Sequence, residues 1–292
     1  MQHSKLKSMR WRYFQQTAFF LTVRLSALII VLALGGILLY IIVNGIGALS
    51  WEFITKPPTD GMTKGGIMPA IIGTFYLTAG ALSVGLPLGV ASAIYLTEYA
   101  RQGRMVRIIR IGINCLAGVP SVVFGLFGLG LFVVMLKFGS CILSGSLTLG
   151  FLILPTIIGA SEEALKAVPQ TFREASLALG VSKWKTIYNI VLPTALPGIM
   201  TGSILGIGRA AGETAPIMFT AAAFFTAKLP TSIFDEVMAL PYHVYVLATA
   251  GTHIEETRPL QFGTVLVLVA LVLGVDLIAI VIRSHMRRKK RW

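Results

Sequence analysis

Long apolar runs separated by short polar stretches dominate the chain. Six stand out, at 25–46, 67–95, 111–136, 141–160, 195–225 and 262–282. Each is long enough to cross a hydrocarbon core of about 30 Å, some with tilt or a kink. A further run, 237–250, is short and interrupted by Pro241 and His243. It predicts an external interfacial or re-entrant helix rather than a seventh span. The pattern therefore predicts an all-α polytopic membrane protein with six transmembrane helices. Pro69, Pro87, Pro120, Pro155 and Pro216 fall inside these runs. They free backbone carbonyls, which favours contact with protein or a watery cavity over lipid. The first run is long enough to stay as a span, so it is not expected to be removed as a signal peptide.

Basic residues alternate between the connections. Lys5, Lys7, Arg10, Arg12 and Arg24 precede or edge the first run. Arg101, Arg104, Arg107 and Arg110 follow the second, and Lys166, Arg173, Lys183 and Lys185 follow the fourth. Arg283, Arg287, Arg288, Lys289, Lys290 and Arg291 close the chain. The other connections hold only Lys56 with Lys64, Lys137 alone, and Lys228 with Arg258. The positive-inside rule then puts both termini in the cytoplasm of a multi-pass inner-membrane protein. The remaining loops carry Glu52, Asp60, Asp235, Glu236, Glu255 and Glu256, expected as a solvated surface or a docking face.

Composition agrees with that picture. Charged residues make up 13% of the 292 residues, against about 25% in soluble domains, and mean hydropathy is +0.80. The net charge of +13 follows from topology and does not point to nucleic acid. Cys115 and Cys141 would sit about 39 Å apart on a continuous helix, too far for a disulfide. The histidines, His3, His243, His253 and His285, are scattered, so no metal site or cofactor is expected. No G-x-x-x-x-G-K-[ST] loop and no nucleophile–base constellation occurs, so the chain is not expected to be an enzyme.

The polar stretch 171–193 carries the most information. Thr171 and Glu174 fit a capping box. Phe172, Ala175, Ser176 and Leu179 then fall at helical spacing, and Gly180 reads as a stop. Ser182 can cap a second helix with Trp184, Ile187, Tyr188 and Val191 on its apolar face, until Pro193 ends it. Helices this short barely persist alone in water, so the bracket needs packing on both sides. A plain interfacial hairpin fits these features as well as a docking element does.

In the fifth run, Gly198, Gly202 and Gly206 recur every four residues, and Gly208 and Gly212 repeat the spacing. Small residues at that spacing let helices approach closely. Helical geometry places Arg209 over Gly202 and Glu213 over Gly206. Both charges are expected on the glycine face, turned toward protein. A charge inside a span costs about 2.5–3.5 kcal/mol on insertion scales, so it normally pairs or lines a pathway. An ion pair locking helices and an anion route gripped by Arg209 both remain open. Asp276 is expected to reach the interface or to pair with Arg24 or Arg283. Asn114, Ser121 and Thr214 are expected to bond nearby backbone.

The stretch from Glu174 to Pro193 resembles the EAA loop of ABC importer permeases: E-A-A, three residues, G, nine residues, I-x-L-P. Glu174, Ala175, Gly180, Ile190, Leu192 and Pro193 match, and Ser176 replaces the third-position alanine. The segment 208–220, G-R-A-A-G-E-T-A-P-I-M-F-T, resembles the fifth-span signature of phosphate importer permeases of the PstA type. The segments 65–74, 119–126 and 162–169 are similar to PstA segments too. The resemblance implies a type I ABC importer permease, with residues 1–60 forming an N-tail, a first span and the start of an external loop, and 61–292 the permease core. It implies that the loop 171–193, between the fourth and fifth spans, is a cytoplasmic coupling element docking a PstB-type ATPase dimer through Glu174, Ala175, Ser176, Gly180, Ile190, Leu192 and Pro193. It further implies a PstC-type sister permease, an external PstS-type phosphate-binding protein, and a phosphate route near Arg209, Glu213 and Thr214. Two alternatives compete: a permease for another small oxyanion such as sulfate or molybdate, and an ion-coupled secondary transporter. A non-transporting scaffold that uses the bracket to hold a partner is a further rival.

Overall fold

The computed structural model describes the backbone of residues 2–250 and 254–288 and the side chains of 11, 13, 15–250 and 257–285. The expectations on His3, Lys5, Lys7, Arg10, Arg12, His253, Glu255, Glu256 and the basic side chains from Arg287 onward lie outside the described side chains.

Helix α1 (Gln2–Gly45) is long, and its described side chains are almost all exposed. It leans on the last helix near its C-terminal end, where Tyr40 packs edge-on against Phe262 at 5.4 Å. A short helix α2 (Trp51–Thr55) is capped by Ser50, whose side chain accepts from the Phe53 amide. A two-residue hairpin, Pro58–Thr59 with Lys64–Gly65, follows. Helix α3 (Met68–Ile94) runs on into a π turn, Tyr95–Tyr99.

The third run departs from expectation. It does not form one straight span over 111–136. Helix α4 (Arg104–Ala117) starts earlier and stops at Gly118, and α5 (Ser121–Gly128) continues as a π turn, Leu129–Met135. The two parts are bent by 101°. Pro120 holds an extended backbone at the start of α5 (φ −57°, ψ 139°), which no helix can run through. Cys115 is therefore exposed at the break while Cys141 is buried, and both are free thiols.

Helix α6 (Ile142–Lys166) is the hub, packed between α3 and α9 (Leu192–Gly212). Leu77, Leu149, Leu152, Ile153, Ile157 and Ile217 form the main core. The close approach of α9 rests on glycine: a Cβ at Gly202 would lie 2.5 Å from the Ala160 Cβ. The expected glycine seam thus holds at Gly198 and Gly202, whereas Gly208 faces Asp276 and a Cβ at Gly212 would meet nothing within 4 Å.

Between α6 and α9 lie α7 (Gln170–Ala178), α8 (Lys183–Thr186) and a π turn, Ile187–Val191. Contrary to the sequence expectation, Pro193 does not end the second helix; the helix runs on through it. The Leu192 amide reaches back to the Ile187 carbonyl, and Pro193 falls in the first turn of α9. The widened turn accommodates the missing proline N–H. At its other end α9 stops at Gly212, short of the expected 225, and α10 (Ala215–Thr220) restarts with Pro216 in its first turn. Pro69 likewise starts α3, so of the five expected span prolines only Pro87 and Pro155 sit inside a helix.

Helix α11 (Leu240–Thr249) is short and largely buried, in line with the run that was not expected to span. It packs against α3 and α12 (Ile254–Arg288). Among the described residues five helices are long and apolar enough to cross a membrane, six if the bent pair is one crossing. The acidic loop residues are solvated: Glu52 pairs with Lys56 at 2.6 Å and Asp60 with Lys64 at 3.2 Å, both exposed. Asp235 accepts from the Thr231 and Ser232 amides at 2.8 and 2.9 Å, which hold its carboxyl below the usual range.

Candidate functional site

Two places bring the expected site residues together. The first is the bracket. Helix α7 starts after Pro169, whose φ of −55° is already set for a helix entry. Thr171 therefore lies inside the first turn, and the expected capping box with Glu174 does not form; no side chain caps this helix. The stop at Gly180 does form. Gly180 has φ +77°, its amide bonds the Leu177 carbonyl at 3.0 Å, and the Val181 amide bonds the Ser176 carbonyl at 3.3 Å. That pair of bonds is a Schellman ending, which requires the left-handed residue glycine supplies.

Ser176 is buried, and its hydroxyl bonds that of Thr186 at 2.9 Å. The position where the family pattern has alanine thus ties α7 to α8. Ile187 and Val191 are buried as expected. Leu179, Trp184 and Tyr188 are not: Leu179 is 84% exposed, and Trp184 stacks on Tyr188 in the open. The expected apolar faces are thus split between a buried side and a bare one. Beside the bare side runs an apolar groove of ≈ 620 Å³, lined in part by Ala175, Leu179, Ile190 and Pro193. Glu174 and Ala175 are exposed, and Leu192 packs inward behind them.

The second place is the end of α9. Arg209 Nε lies 3.5 Å from Glu213 Oε1, with both side chains partly exposed. Glu213 has already left the helix, in an extended conformation (φ −77°, ψ 131°). It does not lie over Gly206 on a helical face, as expected; the backbone turns away at Gly212. Thr214 sits in the break between α9 and α10. Helix α10 rests on α5, where a Cβ on Gly125 would meet Phe219 and the Ala215 carbonyl at 2.8 and 3.0 Å. Two segments singled out by resemblance, 119–126 and 208–220, therefore touch. Asp276 pairs with neither Arg24 nor Arg283: it packs against Gly208, and Arg283 donates to Thr201 Oγ1 at 2.9 Å. Asp276 Oδ1 is buried without a hydrogen-bond partner.

A third cluster escaped the sequence reading. Glu98, in the π turn after α3, holds Arg173 of α7 at 2.7 Å. Nearby, Glu162 of α6 takes Arg110 at 3.1 Å and Lys166 at 2.7 Å. Arg173, Lys166 and Arg110 served only as topology charges. The available signal was an acid, Glu98, at a span edge beside basic connections.

The family model of binding-protein-dependent transport system inner membrane components matches residues 85–292. The phosphate transport system permease protein PstA 1 of Mycobacterium tuberculosis H37Rv is 36% identical over 280 residues, covering 94% of this chain and 88% of that protein. The probable ABC transporter permease protein YqgI of Bacillus subtilis 168 is 36% identical over 266 residues, covering 87% and 90%. Among solved structures, an inward-facing MetNI methionine ABC transporter shares the fold with a TM-score of 0.58 at 19% identity, over 76% of this chain and 94% of that one. The chain belongs to the family of binding-protein-dependent transport system inner membrane components.

Proposed function

We propose that this chain is the PstA-type permease subunit of an ATP-driven importer of inorganic phosphate. The observation that carries the reading is its 36% identity to a PstA phosphate permease over 94% of its length. The alternation of basic connections puts both termini and the bracket in the cytoplasm. Residues 1–60 then supply a tail and a first span outside the core of 61–292.

At the bracket, Leu179, Trp184 and the groove beside Ala175 and Ile190 offer bare apolar surface. Soluble proteins rarely leave such surface unpartnered. A PstB-type ATPase dimer covers it, with Glu174, Ala175, Ser176, Gly180, Ile190, Leu192 and Pro193 forming or shaping the contact. ATP is hydrolysed on that partner, and its closure moves α7 against the spans. A PstC-type sister permease completes the pathway, and a PstS-type protein delivers phosphate at the opposite end.

In the pathway Arg209 carries the anion. Its guanidinium fork matches two phosphate oxygens. Glu213 holds it only loosely, at 3.5 Å, so an incoming phosphate competes with the carboxylate for the same donors. Once displaced, the carboxylate repels the anion and favours its release. The Thr214 hydroxyl, at the helix break, adds a neutral donor.

The test is uptake in proteoliposomes holding both permeases, the ATPase and the binding protein. ATP-dependent phosphate accumulation is expected, with sulfate and molybdate excluded. Equal uptake of sulfate or molybdate rejects the cargo. Uphill uptake by this chain alone, driven by an ion gradient, rejects the importer.

A further inference from the structure

The guanidinium of Arg173 is held by the end of α3, the end of α6 and the connection that follows α6, and not by the bracket to which it belongs. Nη2 reaches Glu98 Oε1 at 2.7 Å and the Leu165 carbonyl at 2.9 Å, Nε reaches the same carboxylate at 3.2 Å, and Nη1 reaches the Val168 carbonyl at 2.7 Å. The side chains of Arg173 and Glu98 are only 12% and 8% exposed. Lys183, at the start of α8, donates to the Glu98 carbonyl and lies over the Tyr99 ring at 5.1 Å. Glu98 thus gathers the end of α3, and through Arg173 the end of α6, onto α7 and α8.

Glu98 sits in the π turn Tyr95–Tyr99, and the chain re-enters the bundle through a second π turn, Ile187–Val191. Such turns are weaker than the α-helix and recur at functional sites. Between them lies a cavity of ≈ 590 Å³ lined by Thr97, Glu98, Lys166, Arg173, Lys183 and Val191. The clasp forms part of that cavity's wall and joins the first of these turns to α7. A buried ion pair of this kind adds little net stability over an apolar replacement, although it fixes geometry.

Helix α7 is joined covalently to α6 and, through α8, to α9. Nothing in the chain path joins it to α3. We infer that Arg173 is a positioning residue: the Arg173–Glu98 clasp makes α3 follow α7 when the ATPase moves it, so that α3 and α9 shift together. This rests on the reading of α7 as the ATPase-contacting helix.

The test uses the full complex in proteoliposomes. Arg173→Met paired with Glu98→Leu removes both charges and leaves no buried ion unpaired; Glu98→Gln and Arg173→Lys serve as milder variants. Three quantities are read: ATPase recovered with the permease, ATP hydrolysis, and phosphate moved per ATP. ATPase recovery is expected to stay within twofold, while phosphate moved per ATP falls tenfold or more in the double variant. Arg173→Lys keeps the charge but not the fork, and is expected to lose less. A double variant with the normal ratio of phosphate to ATP overturns the inference, because the clasp is then only structural. Full ATPase recovery with Ala175→Arg would instead remove α7 as the docking helix, and the inference with it. The first failure is seen in the ratio and the second in recovery.

Discussion

Ser176 of α7 and Thr186 of α8 share a hydrogen bond of 2.9 Å across the turn at Gly180. It closes the bracket from inside, leaving Ala175 and Leu179 outward. Replacing Ser176 by alanine removes one such bond, worth about 0.5–1.5 kcal/mol, but Thr186 keeps the Ser182 carbonyl at 3.2 Å. Ser176→Ala is therefore expected to recover the ATPase almost fully. Ser176→Leu drives a larger side chain between the helices and is expected to lose it. Co-purification of the ATPase with each variant decides this.

Gly180 carries φ +77°. An L-residue there costs about 1–2 kcal/mol, and asparagine less than alanine. Gly180→Ala is expected to shift the undocked bracket away from this turn by a factor of roughly five to thirty, and ATPase recovery to fall with it, while membrane insertion is unchanged. Equal recovery for glycine, asparagine and alanine would show that the turn relaxes freely.

The seam between α6 and α9 offers a compensation test. A Cβ at Gly202 lies 2.5 Å from the Ala160 Cβ, so Gly202→Ala forces the helices apart at about 1–3 kcal/mol. Adding Ala160→Gly should recover most of that loss. Thermal unfolding of the two single variants and the double variant, in detergent, provides the readout.

Arg209→Ala is expected to abolish most phosphate uptake while leaving the assembled complex intact. A charge-assisted bond of about 1.5–3 kcal/mol corresponds to roughly ten- to hundredfold. Arg209→Lys keeps the charge and should retain part of the rate. Uptake undiminished in Arg209→Ala would leave Arg209 as a helix lock.

His243 is buried in α11, and desolvation lowers its pKa to about 4 from 6.5. Between those values the unfolded chain binds more protons than the folded one. Stability is then constant above pH 6.5 on this account and falls as pH drops toward 4, by up to about 1.4 kcal/mol per pH unit. His243→Phe should flatten that slope. Melting temperatures at pH 7.5, 5.5 and 4.5 test it; identical slopes in both proteins would exclude His243 as the cause.

The spans and the Gly180 stop were legible because hydropathy and a left-handed glycine are local signals. The short α11 was legible for the same reason, through its length. Pro120 and Pro193 show where such signals run out. One breaks its helix by 101°, while the other sits in a helix that continues through a π turn. The difference lies in the neighbouring hydrogen bonds, not in proline itself. Leu179 was expected inward by periodicity, yet it is 84% exposed, since a lone permease supplies nothing to cover it. Glu98 with Arg173, and Ser176 with Thr186, depend on contacts far apart in sequence, which spacing cannot reveal.

The bend at Gly118–Pro120 also bears on how the chain is built into its bilayer. At 1.5 Å per residue, the helical stretch beyond it reaches roughly 22 Å, short of a core of about 30 Å. It leans on Ala215, Pro216 and Phe219, which the ribosome delivers almost a hundred residues later. A stretch this short depends on its neighbours to fill the bilayer, so the bend ties the crossing to a segment made much later in the chain.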